Sequence, residues 1–278
     1  MKSLKILFIT ALIFFAVKIT FSQSITLIER TLESSQDKIL NVQALSGDVR
    51  ISTWDKNQVN VRIKGDENAL KYIDYTIESK DGNIIVKTEK KSSLTVLIEK
   101  VKLSIEVTVP LKYNADVKTT GGDIKISQLT GNVKFETAGG DITANDITGE
   151  LDLVTAGGDI KASNFKGKIK AATAGGDVRL DGSEGEVNAE TSGGDVKLDY
   201  TGNNFGISLK TMGGSIKLKV PETFKAELDI STTGGEIKSD FPLLINKGTS
   251  GQTMKGDING GGKLVKCTTM GGDISIRK

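Results

Sequence analysis

The sequence predicts an all-β chain that folds as a single elongated parallel β-solenoid, in which short strands stack coil upon coil. A Thr-x-Gly-Gly-Asp-Ile motif recurs, its first five copies are 18 residues apart, and apolar residues alternate with polar ones around each copy. A fixed short period is typical of stacked repeats, whose units bury their apolar faces against one another. The Gly pairs begin at Gly121, Gly139, Gly157, Gly175, Gly193, Gly213, Gly234 and Gly271.

Alternation with a period of two surrounds every Gly pair. Ahead of the first pair, Ala115, Val117 and Thr119 stand six, four and two residues before the first glycine. Beyond it, Ile124 and Ile126 stand three and five residues after that glycine. This spacing is that of strands with one buried face. Each 18-residue unit is therefore predicted to hold two short strands, with apolar and threonine columns inward and coils about 4.8 Å apart.

The glycines are predicted to form the corners of each coil. Glycine adopts positive φ without steric cost, and the lack of a side chain lets successive corners stack without collision. A second corner is predicted ten residues after the first glycine of a pair, at Gly131, Gly149, Gly167 and Gly185.

Acidic and basic residues form two outward columns. The acids of the first five copies are Asp123, Asp141, Asp159, Asp177 and Asp195, and a base stands two residues after most of them. We interpret the columns as a self-screening stripe, whose exposed pairs contribute about 0–1 kcal/mol each. Each aspartate is also expected to cap its own turn. Calcium binding by these five aspartates stays open as an alternative, because Ca²⁺ takes six or more oxygen ligands.

Residues 1–22 are predicted to be a secretory signal peptide. Lys2 and Lys5 precede an apolar run that ends at Val17, and cleavage is predicted before Gln23. An uncleaved anchor is the alternative, although the run is short for a membrane span. No later segment is apolar enough to cross a bilayer, so the mature chain is predicted to have no transmembrane segment.

Residues 23–114 are predicted to form irregular N-terminal β coils. Residues 46–48 repeat the motif with serine in place of the first glycine, so the solenoid is predicted to begin there. The column argument places Trp54 inward. A short helix or irregular excursion is predicted over 69–75, and a strand over 94–98.

Residues 115–278 are predicted to be the regular solenoid, continuous with 23–114 in one domain. Residues 241–262 break the period and are predicted to be an excursion or loop. The following coil is expected to end the stack as an open strand edge, where Arg277 and Lys278 discourage pairing. Otherwise a partner or a second copy must cover that end, so end-to-end self-association stays open.

Composition excludes several kinds of chemistry. The chain has no histidine and one cysteine, which excludes histidine-based triads, histidine metal sites and thiolate clusters. Cys267 falls at an inward position and is predicted to be buried. The Gly pairs match neither dinucleotide-binding nor phosphate-binding loops. With a net charge of +2 and no basic patch, no nucleic-acid partner is predicted. We predict no cofactor and no catalytic residue.

A polysaccharide-acting solenoid enzyme is the alternative from a different functional class. Such enzymes place two or three acids at unique positions beside aromatic side chains that stack on sugars. Here the acids repeat once per coil, aromatic residues make up 5% of the chain, and Phe135 and Phe165 fall in inward columns. Ice binding would need outward threonine pairs, whereas this threonine column is single and inward.

Four stretches carry a family resemblance: LSGDVRI at 45–51, IEVTVP at 105–110, the Gly-Gly-Asp-Ile series, and GGG at 260–262. Over most of residues 40–278 the chain resembles a bacterial family of β-strand-repeat proteins of unknown function. That family is described as candidate adhesins, akin to auto-transporter adhesin heads. The resemblance implies an exported, non-enzymatic β-solenoid of the periplasm, outer surface or medium, acting as an adhesin-like binding or scaffold module.

The partners that this role suggests are a glycan or an envelope protein. A structural or stress-response envelope protein without a dedicated ligand stays open as a further alternative.

Overall fold

The computed structural model describes residues 24–91 and 101–278. The predicted signal peptide and the strand predicted over 94–98 lie outside these residues. The strands of the first half are β1 (Ile25–Glu33), β2 (Ile39–Ala44), β3 (Asp48–Trp54), β4 (Gln58–Gly65), β5 (Ile73–Lys80), β6 (Asn83–Lys90), β7 (Leu103–Pro110), β8 (Asn114–Thr119), β9 (Ile124–Thr130), β10 (Val133–Thr137), β11 (Ile142–Thr148) and β12 (Leu151–Thr155).

The second half is built in the same way. Its strands are β13 (Ile160–Lys166), β14 (Ile169–Ala172), β15 (Val178–Ser183), β16 (Val187–Glu190), β17 (Val196–Thr201), β18 (Ile207–Lys210), β19 (Ile216–Lys219), β20 (Ala226–Thr232), β21 (Ile237–Ser239), β22 (Ile245–Gly248), β23 (Gly251–Ile258), β24 (Leu264–Thr269) and β25 (Ile274–Arg277). One short helix, α1 (Glu67–Tyr72), interrupts the first half, where a helix or irregular excursion was expected.

The strands form two long sheets that pack face to face. Sheet A has the order β1-β4-β7-β3-β9-β11-β13-β15-β17-β19-β25-β21, and sheet B has the order β22-β23-β20-β24-β18-β16-β14-β12-β10-β8-β2-β6-β5. The middle of each sheet is parallel and in register, so that Phe135 pairs with Val117 on one side and with Leu153 on the other. The predicted all-β class with parallel stacking is confirmed.

The core lies between the sheets and is built from the inward columns. Phe135 and Phe165 are both completely buried. The threonine column is buried along its whole length, at Thr119, Thr137, Thr155, Thr173, Thr191, Thr211, Thr232 and Thr269. A typical member, Thr155, donates its hydroxyl to Gly140 O at 2.9 Å and accepts from Gly158 N at 3.3 Å. Each threonine therefore joins two coils through the corner backbone.

Trp54 does not join the core as the column argument predicted. Its side chain is half-buried at the end of β3. The indole Nε1 donates to Gln58 O at 2.7 Å, and Lys56 Nζ lies 5.0 Å from the ring centroid. The side chain therefore closes the turn between β3 and β4, because at the edge of the coil this bond satisfies the indole N–H.

The order of coils in space differs from their order in the chain at both ends. The coil formed by β24 and β25 lies between two coils that precede it in the chain. One of these is formed by β18 and β19, and the other by β20 and β21. The coil of β2 and β3 likewise lies inside that of β6 and β7. The prediction that the last coil forms the open end is therefore wrong, because β25 pairs on both sides.

Antiparallel strands are added at the ends of the stack, except at the end of sheet A where β21 pairs in parallel with β25. β1 pairs with β4 and β5 pairs with β6 at one end, whereas β20, β23 and β22 pair in succession at the other. Residues 241–262 therefore contain a hairpin within the segment predicted as an excursion or loop. Phe241, only 5% exposed, belongs to the core at this end. Each sheet still terminates in edge strands, β1 and β21 in sheet A and β22 and β5 in sheet B.

The second glycine of each pair is required for close approach and not for positive φ. At Gly140 an added Cβ would lie 2.1 Å from Gly122 O, whereas at Gly139 it would meet no atom within 4 Å. Neither glycine has positive φ. The conformational reason expected for the pairs is therefore wrong there, although it holds at the second corner, where Gly149 has a φ of 143°.

Candidate functional site

The column of aspartates links each coil to the next. Asp123 Oδ1 accepts from Asp141 N at 3.0 Å, and Asp141 Oδ1 accepts from Asp159 N at 2.8 Å. The same contact continues to Asp177, Asp195 and Ser215. The prediction that each aspartate caps its own turn is wrong, because parallel stacking puts the amide of the next coil within reach of the carboxylate.

Bases beside the aspartates neutralise part of the column. Lys125 lies 3.2 Å from Asp123, and Arg179 lies 2.6 Å from Asp177. Burial would raise the pKa of Asp123, but the hydrogen bond from Asp141 N–H and the contact with Lys125 hold that pKa below its ordinary value. The self-screening stripe is thus formed in some coils.

The calcium hypothesis concerns Asp123, Asp141, Asp159, Asp177 and Asp195. Within residues 24–91 and 101–278, no group of three or more histidine, cysteine, aspartate or glutamate side chains is placed to hold a metal ion. One oxygen of each of the five carboxylates is engaged by a backbone amide. Calcium binding by the five aspartates stays a hypothesis.

A continuous column of uncharged polar side chains lies on the outer face of sheet A. We name it the polar track, and its members in spatial order are Thr31, Asn60, Thr108, Ser52, Ser127, Asn145 and Ser163. Ser52 and Ser127 directly follow the paired residues Ile51 and Ile126, and both serines line the same groove. Asn60 Nδ2 donates to Thr31 Oγ1 at 3.1 Å, and the hydroxyls of Ser52 and Thr108 lie 3.0 Å apart. At about 4.8 Å per strand the track is about 29 Å long.

A charged row runs beside the polar track. Its members are charged except for Thr143, and in spatial order they are Glu29, Arg62, Glu106, Arg50, Lys125, Thr143 and Lys161. Arg62 donates twice to Glu29, at 3.0 and 2.8 Å, and hydrogen bonds from Arg62 lower the pKa of Glu29. Lys64 also contacts Glu106 at 2.6 Å. The row therefore holds ordered charges along one side of the track.

A groove of about 490 Å³ lies over the track and the row. Its walls include five track residues (Ser52, Asn60, Thr108, Ser127 and Asn145) and the basic side chains Arg50, Arg62 and Lys125. A larger groove of about 600 Å³ on sheet B is lined in part by Val154, Ala138 and Ala156. The groove on sheet A offers more hydrogen-bonding groups, so it is the better candidate for a polar ligand.

Simple counting could have found part of this site. Ser127, Asn145 and Ser163 each stand six residues after the first glycine of a pair. Thr31 and Asn60 carry no such signal, because they join the track through the antiparallel pairing of β1, β4 and β7.

The repeated coils match a known family model, Toastrack DUF4097, over residues 37–277. The chain belongs to the Toastrack DUF4097 family. The predicted resemblance to a family of unknown function is confirmed. A comparison of this Toastrack chain with curated proteins gave no significant match.

Solved structures of low sequence identity resemble this Toastrack chain. A candidate adhesin from Parabacteroides distasonis is 12% identical and covers 90% of this chain and 96% of its own, with a TM-score of 0.48. A candidate lipid-binding protein from the same species is 14% identical, with 90% and 96% covered and a TM-score of 0.41. A candidate cell adhesion protein from Clostridium sporogenes is 12% identical, with 92% and 99% covered and a TM-score of 0.31. Likeness at this level carries no argument about function.

Two side chains with reactive groups, a thiol and a phenol, are buried in the core of this Toastrack chain. Cys267 is completely buried, as predicted, and burial raises the pKa of its thiol. Tyr200 is buried and donates its hydroxyl to Gly185 O at 2.9 Å. No helix of the described residues is long and apolar enough to cross a membrane.

Proposed function

We propose that this Toastrack protein is an exported, non-enzymatic module of the cell envelope that binds a linear polymer, a glycan above all. The polar track carries this proposal. Hydroxyl and amide side chains both donate and accept hydrogen bonds, and the track repeats them once per strand over about 29 Å. A hydroxyl-rich polymer lying across the strands would meet one such side chain at each strand. The charged row would lie beside it.

The polymer interpretation treats the chain as one continuous solenoid. Thr31, Asn60 and Thr108 come from the region 23–114, whereas Ser127, Asn145 and Ser163 come from 115–278, and one column unites them. Export rests on the predicted signal peptide, with a mature chain that begins at Gln23. The resemblance implied an adhesin-like binding or scaffold module, and attachment to an envelope glycan is one form of that function.

Binding along the track would be the sum of weak contacts. A hydrogen bond contributes about 0.5–1.5 kcal/mol net, so no single side chain carries the affinity. The track has no enclosing lid in the described structure, and the groove above it is open. We therefore expect longer oligosaccharides to bind more tightly than short ones, until the length of the track is filled.

The test uses the mature chain and fluorescently labelled hexasaccharides of three kinds, neutral glucan, N-acetylated amino sugar and polyuronate. We expect at least one kind to bind in fluorescence anisotropy. Asn145→Ala should weaken that binding by about 2- to 12-fold, which corresponds to a loss of about 0.5–1.5 kcal/mol. The side chain of Asn145 forms no hydrogen bond within the described residues, so its removal should leave the fold intact.

A matched control is Asn188→Ala, which removes an exposed amide from the outer face of sheet B. Its binding should equal that of the parent protein. The proposal fails if none of the three polymers binds, or if the two variants lose affinity equally. Cleavage of a bound oligosaccharide would instead support the polysaccharide-acting enzyme.

A further inference from the structure

The outer face of sheet B carries a column of alternating charge. We name it the sheet B ladder, and its members in spatial order are Asp116, Lys134, Asp152 and Lys170. They occupy equivalent positions on β8, β10, β12 and β14. The two lysines are exposed and the two aspartates are half-buried.

The ladder forms no close ion pair within its own chain, although Asp116 and Lys134 act at longer range on Lys118 and Glu136. No ion pair joins any of its four members to another described residue, although they are neighbours across adjacent strands. Asp152 Oδ1 is buried and has no hydrogen-bond partner among the residues that the structure describes. The adjacent column differs, because Lys118 and Glu136 pair there at 2.9 Å. A groove of about 510 Å³ follows the ladder and is lined by all four of its members.

We propose that this face of sheet B binds the same face of a second copy of the chain. A two-fold axis in the interface, parallel to the strands and between β10 and β12, reverses the order of the ladder. Lys134 then faces Asp152 of the second copy, and Asp116 faces Lys170 of the second copy. Such an isologous interface requires a self-complementary surface, and an acid–base–acid–base column meets that requirement.

The neighbouring columns are compatible with this arrangement. The axis places Ala138 opposite Ala156 of the second copy, and both side chains are small and exposed, so the sheets can approach closely. Glu136 would face Val154 of the second copy, but Lys118 neutralises its charge within its own chain.

The outer face of sheet A is unsuited to the same arrangement. Its acidic column is uniform from Asp123 to Asp195, and its basic column contains Lys161, Arg179, Lys197 and Lys217 in succession. The same two-fold operation would set acid against acid and base against base. Like charges juxtaposed across an interface cost several kcal/mol. The self-complementary face is therefore that of sheet B.

The dimer should be weak and sensitive to salt. Six coils about 4.8 Å apart and five residues of about 3.3 Å each give a face of about 500 Å² per copy. A total of about 1,000 Å² lies at the low end of specific interfaces. Exposed charges are screened within about 8 Å at physiological ionic strength, so raising the salt concentration should dissociate the dimer.

Sedimentation equilibrium of the mature chain and of two charge reversals tests the proposal. The parent protein should dimerise at low ionic strength and dissociate in high salt. Lys134→Asp leaves the centre of the ladder acidic and Asp152→Lys leaves it basic, so each variant alone should dimerise at least about tenfold more weakly. A mixture of the two should form a heterodimer, because the acidic centre of one then faces the basic centre of the other.

Lys161→Asp, the same charge change on sheet A, is the matched control and should dimerise like the parent protein. Unfolding temperatures of all variants separate a lost interface from a lost fold. A parent protein that is monomeric in low salt at its highest soluble concentration would overturn the proposal. So would single variants that still dimerise fully, or a mixture that fails to associate. Polymer binding on sheet A is measured separately, so either idea can fail alone.

Discussion

At the scale of single residues, the two glycines of a pair have different roles. The second glycine has no room for a side chain, because the carbonyl of the preceding corner lies against it. At Gly158 and Gly176 an added Cβ would again lie 2.1 Å from a carbonyl oxygen of the previous coil. At the first glycine an added Cβ would lie at least 3.1 Å from any atom of the neighbouring coil, and at Gly121 and Gly139 it would meet no atom within 4 Å. The repeat therefore depends on one glycine per pair for its close stacking.

We expect Gly140→Ala to lower the free energy of unfolding by about 1–3 kcal/mol or more, because the corner must shift to relieve the overlap. Gly139→Ala is the matched control and should change it by less than about 1 kcal/mol, since its Cβ enters open space. Urea unfolding followed by circular dichroism measures both. Equal losses for the two variants would contradict the steric explanation.

The aspartate column makes a residue-scale contribution that depends on pH. The pKa of Asp123 is lower in the folded chain than its ordinary value of 3.8. The carboxylate therefore stabilises the fold above about pH 4, and this contribution is lost as the pH falls through the lower, folded-state pKa. Protonation weakens the bond from Asp141 N–H and the attraction to Lys125.

Asp123→Asn keeps an acceptor oxygen but removes the charge. We expect the variant to be less stable than the parent at pH 7 and the difference to shrink at pH 3. Urea unfolding at the two pH values measures the difference, and Asp181→Asn controls for loss of a surface carboxylate. A difference that stays constant or grows toward acid pH would count against this role for Asp123.

At the scale of elements, the hairpin of β22 and β23 decides how the stack ends. It pairs antiparallel with β20 and turns the chain back, so β24 and β25 enter between coils that were formed earlier in the chain. Lys210 consequently lies beside Thr268, and Thr268 lies beside Ser231. The last coil is held on both sides, although it is last in the chain.

Paired cysteines test this order, in a Cys267→Ala background. Lys210→Cys with Thr268→Cys should form a disulfide, because neighbouring strands are about 4.8 Å apart. Lys210→Cys with Ser231→Cys should not, because strands two apart exceed the roughly 7 Å limit between Cα atoms. Non-reducing electrophoresis after mild oxidation separates the outcomes. Stacking in chain order would produce the reverse result.

At the scale of the whole molecule, the two sheets present surfaces of different kinds. Sheet A carries the polar track, the charged row and the aspartate column, whereas sheet B carries the alternating ladder. Besides the edge strands β1, β5, β21 and β22, these long faces are the main surfaces open to partners. End-to-end self-association through those edge strands stays a prediction.

The calcium hypothesis is tested on the whole molecule by calorimetric unfolding, first in EDTA and then in millimolar Ca²⁺. We expect no shift of the transition, because the five column aspartates already bind backbone amides through Oδ1, and Lys125 and Arg179 supply positive charge beside them. A ligand that binds only the folded state raises the transition by mass action. A rise that grows with Ca²⁺ concentration would therefore show that the column is a calcium site.

The inward columns were predictable because burial follows the period of the strand. Apolar residues and threonines that alternate at a fixed register have one face that can leave water, and Phe135, Phe165 and Cys267 all lie where that argument placed them. Trp54 does not lie where that argument placed it. It stands at the end of a strand, where the hydrogen bond of its indole N–H is favoured over burial of the ring in the inward column.

The sequence alone determined the all-β class, the parallel stacking of the repeats, the buried threonines and the family. Each depends on local periodicity, which the linear chain displays in full. Only the tertiary structure decided the order of the end coils, the polar track and the unpaired charges of the sheet B ladder. These depend on which strands become neighbours after the chain reverses, and residues distant in sequence, such as Thr31 and Asn60, become neighbours only through that pairing.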